Sequence, residues 1–130
     1  MKQIIVLKGK GNTGKTTTIR KALSQLFNIE FYKPKTDVVF SFRYKGKTIA
    51  IISAGDVESR IIRYFKEIEK NFDILICACH TKGATWDFYN KLDGEKYKLY
   101  PIDKKNNTDK EEAETILEIK KIINSLPNSF

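Results

Sequence analysis

Gly9 to Thr16 is the stretch of this chain whose residue types and spacing could do chemistry. It reads Gly-Lys-Gly-Asn-Thr-Gly-Lys-Thr and fits the pattern G-x-x-x-x-G-K-[ST] without a gap. Its glycines predict a backbone with positive φ that approaches a ligand closely, so that successive N–H groups surround an anion at the start of a helix. A di- or triphosphate fits such a cradle.

Two side chains at the end of this stretch have predicted roles in catalysis and metal binding. Lys15 is expected to reach the β- and γ-phosphates as a point charge, and the Thr16 hydroxyl is expected to join the coordination shell of a Mg²⁺ ion on the same oxygens. A glycine-rich turn that only caps a helix does not need lysine followed by threonine. The residues predicted to bind nucleotide are Gly9, Lys10, Gly11, Asn12, Thr13, Gly14, Lys15, Thr16 and Thr17.

The stretch is a Walker A motif, and with its flanks it resembles the P-loop NTPases over about the first fifth of the chain. It is also similar to the deviant Walker A motif of the MinD/ParA ATPases, which carry an additional signature lysine where Lys10 stands. This chain has Asn12 where that family has glycine. The second resemblance implies that Lys10 acts across a nucleotide-dependent homodimer. The alternative is a solvated lysine in a monomer.

The elements that must hold this stretch are a strand and a helix, and the flanking residues predict both. Gln3 to Leu7 is a short apolar run typical of a buried parallel strand, and Ile19, Leu23 and Leu26 share one helical face after the motif. The remaining predicted elements are a hairpin at 37–44 and 47–53 with its turn at 45–46, helices at 57–71, 84–92 and from 108, and strands at 72–79 and 97–102.

Two carboxylates are predicted to reach the phosphate site from the hairpin. If the strand ending at Ser53 runs parallel to the first strand, its carboxyl end opens on the same edge of the sheet as the motif. Asp56 then acts as a Mg²⁺ ligand on a neighbouring strand, and Asp37 comes to the same edge as a switch-like group, so both are predicted to be catalytic. Alternatively, Asp56 is the N-cap of the next helix and Asp37 a turn residue.

The order of loop, helix and hairpin is similar to the first half of the small GTPases, which place D-x-x-G after the hairpin. In this chain Ile52 takes the aspartate position. Where that family reads guanine with N/T-K-x-D, the chain has Thr81-Lys82-Gly83-Ala84, and Ala84 supplies no carboxylate. ATP is therefore expected in preference to GTP. His80, at the end of the same strand, either contacts the substrate, transfers a proton or has no role.

Composition narrows the class of protein. The 130 residues suit one domain, 1–130, and no apolar run approaches the roughly 20 residues of a membrane span, so a cytoplasmic protein without membrane contact is expected. The net charge is +8, but the 20 lysines are spread along the chain and arginines number only 4, so nucleic-acid binding is possible and not favoured. Cys77 and Cys79 are expected to be buried free thiols.

The last helix is predicted to begin with a capping box, in which Thr108 and Glu111 satisfy the first backbone N–H groups. Its expected core residues are Ala113, Ile116, Leu117, Ile119 and Ile123, with the stem of Lys120 as an alternative to Ile119.

Together these patterns predict a three-layer α/β domain of the P-loop NTPase type. A mainly parallel sheet of about five strands, with one antiparallel hairpin strand, is expected to carry helices on both faces. The predicted function is Mg²⁺-dependent binding and slow hydrolysis of a nucleoside triphosphate. The alternatives are a small-molecule or nucleotide kinase and a non-catalytic, nucleotide-binding regulatory module.

Overall fold

The computed structural model describes residues 2–11, 13–30, 38–53, 58–94, 96–106 and 108–125. Strands and helices alternate along most of this length. The strands are β1 (Lys2–Lys8), β2 (Val39–Tyr44), β3 (Lys47–Ile52), β4 (Ile74–Cys79) and β5 (Tyr97–Asp103). The helices are α1 (Lys15–Phe27), α2 (Glu58–Ile68), α3 (Ala84–Asn90) and α4 (Asp109–Ser125).

The strands of the described residues form a five-stranded sheet in the order β2-β3-β4-β1-β5. β1 pairs in parallel with β4 and β5, and β3 pairs in parallel with β4. β2 runs antiparallel to β3. The prediction of an α/β fold with a mainly parallel sheet of about five strands and one antiparallel hairpin strand is confirmed.

Apolar clusters lie on opposite faces of this sheet. On one face Ile5 and Leu7 of β1 pack in a cluster with residues of α1 and α4, and on the other face Ile4 and Val6 pack with residues of α2 and α3. Successive side chains of a strand point to opposite faces, so the four-residue apolar run of β1 serves both clusters. The molecule is therefore layered as helices, sheet and helices, as the sequence predicts.

The turn between β2 and β3 has the backbone conformation expected for a two-residue hairpin. Lys45 and Gly46 have φ values of 50° and 80°. Positive φ at both positions gives the turn a twist that matches the twist of the flanking strands. Tyr44 and Lys47 consequently pair directly across it.

The position of β3 corrects one expectation. β4 lies between β1 and β3, so the strand expected to lead to the metal-binding carboxylate is parallel to β1 but is not its neighbour. Chain order could not reveal this, because β2 occupies one edge of β3, and the connection through α2 allows β4 to enter the sheet either between β3 and β1 or beyond β1.

The buried face of α4 differs from the one predicted. Ala113 and Leu117 are exposed rather than buried, and Leu117 retains 51% of its surface. Residues 113 and 117 lie about 100° around the helix from the stripe that packs inward. The buried residues of α4 are Glu112, Thr115, Ile116, Ile119 and Ile123.

Cys77 and Cys79 are free thiols buried in β4, as predicted. Among the residues described above, none of the helices has the length and apolar character needed to cross a membrane.

Candidate phosphate-binding site

The predicted phosphate loop lies between the carboxyl end of β1 and the start of α1. Gly9 follows β1 directly, and its N–H donates a hydrogen bond of 3.1 Å to the carbonyl oxygen of Cys79 at the end of β4. The loop therefore begins at the carboxyl edge of the parallel strands, where open α/β sheets bind ligands. Of the residues predicted to bind nucleotide, only Asn12 lies outside the described residues.

The three loop glycines serve different purposes. Gly14 alone among them has a positive φ, 78°, so the expectation of positive φ at Gly9 and Gly11 is wrong. Gly9 is required by close packing, since a Cβ there would lie 2.5 Å from Thr13 Oγ1 and 2.6 Å from the carbonyl oxygen of Lys104. A Cβ on Gly11 would meet nothing within 4 Å.

The start of α1 differs from the start of α4 in the way that an anion site requires. The N-cap of α1 is Gly14, which has no side chain to cap the first turn, and that turn contains no acidic residue. In α4 the Thr108 hydroxyl accepts the N–H of Glu111 at 3.2 Å, and the first turn carries three acids. The positive end of the α1 dipole is thus not neutralised by acids of its own first turn.

Lys15 folds back over its own loop. Its ammonium donates hydrogen bonds to the carbonyl oxygens of Gly9 at 2.5 Å and Lys10 at 3.1 Å, and the residue is 7% exposed. Thr13 Oγ1 donates to the same Lys10 carbonyl at 2.8 Å. The loop therefore encloses a cation at its centre. The side chain of Lys10 is exposed, as is Thr17.

Thr16 connects the phosphate loop to the end of β3. Its hydroxyl donates to the carbonyl oxygen of Ser53 at 3.5 Å, and the Ser53 hydroxyl accepts the N–H of Val38 at 2.7 Å. Val38 directly follows Asp37, and Ser53 lies three residues before Asp56. Thr16 therefore contacts Ser53, and Ser53 in turn contacts Val38. Asp37 and Asp56 themselves lie outside the described residues.

No family model, curated protein or solved structure matches this chain.

Of the residues predicted to bind a metal, Thr16 is described and Asp56 is not. Within the described ranges, no group of three or more His, Cys, Asp or Glu side chains could hold a metal ion. A Mg²⁺ ion here would have to use the Thr16 hydroxyl, the phosphate oxygens of a nucleotide, and a carboxylate from Asp56 or Asp37. This combination of oxygen donors suits Mg²⁺, which is usually held by few protein ligands together with substrate phosphates.

Lys8 and Lys15 both lie close enough to Cys79, at the end of β4, for their charges to act on its thiol. The Lys8 ammonium lies 3.7 Å from the centroid of the half-buried Trp86 ring. Burial raises the pKa of the Cys79 thiol to about 12, against the opposing charges of Lys15 and Lys8. His80 is half-buried at the end of β4, and its backbone N–H donates to Thr85 Oγ1 at 3.0 Å.

Sequence reasoning missed a part of the site that comes from β5. Lys104, the residue after β5, packs on Gly9, and Glu111 of α4 binds the loop that contains Lys104. The capping signal at Thr108 did identify Glu111, but as a group that binds its own helix. The contact with the phosphate loop had no sequence signal, because 95 residues separate Gly9 from Lys104.

Proposed function

We propose that this chain is a P-loop NTPase that binds ATP with Mg²⁺ at residues 9–17 and hydrolyses it slowly. The observation that carries the proposal is the start of α1, where a glycine N-cap and a first turn without acids adjoin a loop that surrounds the Lys15 ammonium. Uncapped helix N–H groups and an enclosed cation attract the same ligand, a polyphosphate.

Lys15 is proposed to exchange its partners when the nucleotide binds. Its ammonium now donates to neutral carbonyl oxygens of Gly9 and Lys10. Phosphate oxygens carry full negative charge, and charge-assisted hydrogen bonds are roughly twice as strong as neutral ones, so the exchange is favourable. Lys15 would then stabilise the charge that develops on the transferred phosphoryl group.

The contact between Thr16 and Ser53 supports the proposed metal role. It brings the end of β3 to the hydroxyl that is expected to coordinate Mg²⁺. A carboxylate from Asp56 would complete the metal shell directly or through water, and Asp37 would order the attacking water. Bound Mg²⁺ supplies Lewis-acid stabilisation of the phosphate charge.

Nucleotide-dependent thermal stability tests the proposal. A ligand that binds only the native state stabilises it by about 2.7 kcal/mol at a hundredfold excess over Kd, which raises the Tm of a chain of this size by roughly 10 °C. Lys15→Ala should abolish the rise, whereas Lys121→Ala, an exposed lysine near the end of α4, should retain it. A wild-type protein whose Tm responds to neither ATP, GTP nor their diphosphates contradicts the proposal.

Phosphate release identifies the acceptor of the γ-phosphoryl group. We expect slow release of free phosphate from ATP and Mg²⁺ alone, because water is the acceptor in a hydrolase. ATP that stays intact alone and is consumed after a pool of cell metabolites is added would replace hydrolysis with phosphoryl transfer. Nucleotide that binds but is never consumed under either condition would leave a regulatory module.

A further inference from the structure

The first glycine of the phosphate loop rests on the backbone of Lys104. The N–H of Lys104 donates to the carbonyl oxygen of Lys8 at 2.6 Å. A Cβ built on Gly9 would lie 2.6 Å from the Lys104 carbonyl oxygen and 3.2 Å from the Lys104 Cβ. The loop that begins at Gly9 and the loop that begins at Lys104 are therefore in close contact, so a shift of Lys104 must shift Gly9.

The Lys104 side chain is buried beside the carboxylate of Glu111. Its side chain is 0% exposed, and its ammonium makes no hydrogen bond within the described residues. Within the described residues it forms an ion pair with Glu111, whose Oε1 lies 3.4 Å from the ammonium. A buried charge whose only partner is removed is strongly destabilised, whereas an apolar residue of similar size in its place is often tolerated.

The Glu111 carboxylate also holds the backbone of the same loop. Its oxygens accept the N–H of Lys105 at 3.2 Å and the N–H of Asn106 at 3.1 Å. Burial acts to raise the pKa of Glu111, but these two N–H groups and the Lys104 ammonium outweigh it and lower the pKa. One carboxylate thus binds two consecutive N–H groups and the buried ammonium of the preceding residue.

We propose that Glu111 is a positioning residue for the phosphate loop, with Lys104 as its charge partner. By holding residues 104–106 in place, Glu111 keeps the surface on which Gly9 rests, and through Gly9 it keeps the geometry of the loop that surrounds Lys15. This inference rests on the proposed function, because the geometry matters for phosphate binding. It assigns to α4 a part in nucleotide affinity.

The adjacent residue provides a matched control. Glu112 lies in the same turn of α4 and forms an ion pair of 2.6 Å with Lys21 of α1. That pair joins two helices and does not involve residues 104–106. Glu112→Gln therefore removes the same charge from the same turn and leaves the phosphate loop supported.

Calorimetric titration of ATP and Mg²⁺, at a temperature where every variant is folded, tests the proposal. Glu111→Gln keeps an oxygen for the two N–H groups but leaves the Lys104 ammonium without a counter-charge, so its Kd should rise at least about tenfold. The double variant Glu111→Gln/Lys104→Met removes that buried charge as well and should return the Kd to within about threefold of wild type. Glu112→Gln should leave the Kd unchanged.

A merely structural Glu111 would lower the Tm of Glu111→Gln without changing the Kd of the folded protein, and that result would overturn the proposal. A loss of affinity that the double variant does not restore would also overturn it.

Hydrogen exchange of residues 8–16 gives a readout that needs no nucleotide. Exchange there should be faster in Glu111→Gln than in wild type and unchanged in Glu112→Gln. If the wild type binds no nucleotide but the exchange pattern is as expected, the proposed function fails while the positioning of the loop stands. Equal exchange in wild type and Glu111→Gln contradicts the positioning role itself.

Discussion

The Thr16 hydroxyl lies 3.5 Å from the carbonyl oxygen of Ser53, although β4 separates β3 from the strand that leads into the phosphate loop. The contact joins the first turn of α1 to the end of a strand that is not adjacent to β1. Ser53 also accepts the N–H of Val38. Val38 and Ser53 are the described residues nearest in sequence to the predicted acids Asp37 and Asp56. The roles of those acids and of the loop can be tested separately.

Gly9→Ala and Gly11→Ala should differ in stability. The new Cβ at Gly9 would collide with the Lys104 backbone at 2.6 Å, and relieving such overpacking costs about 1 to 3 kcal/mol. Gly11→Ala enters open space and should change the free energy of unfolding by less than about 0.5 kcal/mol. Urea unfolding measures both values. Equal stability of the two variants would show that Lys104 does not confine Gly9.

Asp56→Asn should impair metal-dependent turnover more than nucleotide affinity. A bound metal is worth several kcal/mol of transition-state stabilisation, so loss of its carboxylate should lower kcat at least about a hundredfold and raise the Mg²⁺ concentration that is required. Phosphate release as a function of Mg²⁺ measures this. Asp103→Asn, an exposed acid at the end of β5, is the control. Normal Mg²⁺ dependence in Asp56→Asn would leave Asp56 as a helix cap and move the role to Asp37.

Lys10→Ala tests the dimer implied by the MinD/ParA resemblance. The Lys10 side chain is exposed, and Lys15 and Thr13 bind the backbone carbonyl of Lys10 rather than its side chain. The substitution therefore leaves those loop contacts in place. If Lys10 acts on the nucleotide of a second copy, hydrolysis per chain rises with protein concentration, and Lys10→Ala removes the rise. Lys82→Ala, another exposed lysine, should keep it. Hydrolysis that is independent of concentration and survives Lys10→Ala indicates a monomeric ATPase.

The two buried thiols should make the fold weaken in alkali. Burial raises the pKa of Cys79 from 9.0 to about 12, and burial with the neighbouring Cys79 raises the pKa of Cys77 well above its usual value. The unfolded chain therefore loses these protons first. Stability is fully present below about pH 9 and decreases as the pH rises towards 12.

Urea unfolding between pH 7 and 11 measures this loss. The variant Cys77→Ala/Cys79→Ala should be less stable at pH 7, because it lacks two buried sulfur atoms, but its stability should fall less steeply above pH 9. A residual slope should remain in both proteins from Tyr97, whose pKa burial and Glu69 raise to about 12, and from Tyr89, whose pKa burial raises well above its usual value. Identical slopes in the variant and the wild type would exclude the thiols as the cause.

Local residue patterns determined much of this protein. Three local patterns predict structure from neighbours a few residues away: the apolar run of β1, Gly14 before the start of α1, and the Lys45-Gly46 turn. The strand, the positive φ of Gly14 and the hairpin turn are as expected, whereas the positive φ expected at Gly9 and Gly11 is not found. The alternation of buried strands and helices also predicts the three layers, because a strand buried on both faces needs helices on both sides.

Only the tertiary structure decided which distant groups meet at the loop. The placement of β4 between β1 and β3, the reach of Thr16 to Ser53 and the support of Gly9 by Lys104 all join residues far apart in the chain. Such contacts depend on how whole layers pack, and packing leaves no periodic mark on polar residues such as Lys104 and Glu111. The sequence could therefore predict a candidate phosphate loop between β1 and α1 but not the distant residues that pack against it.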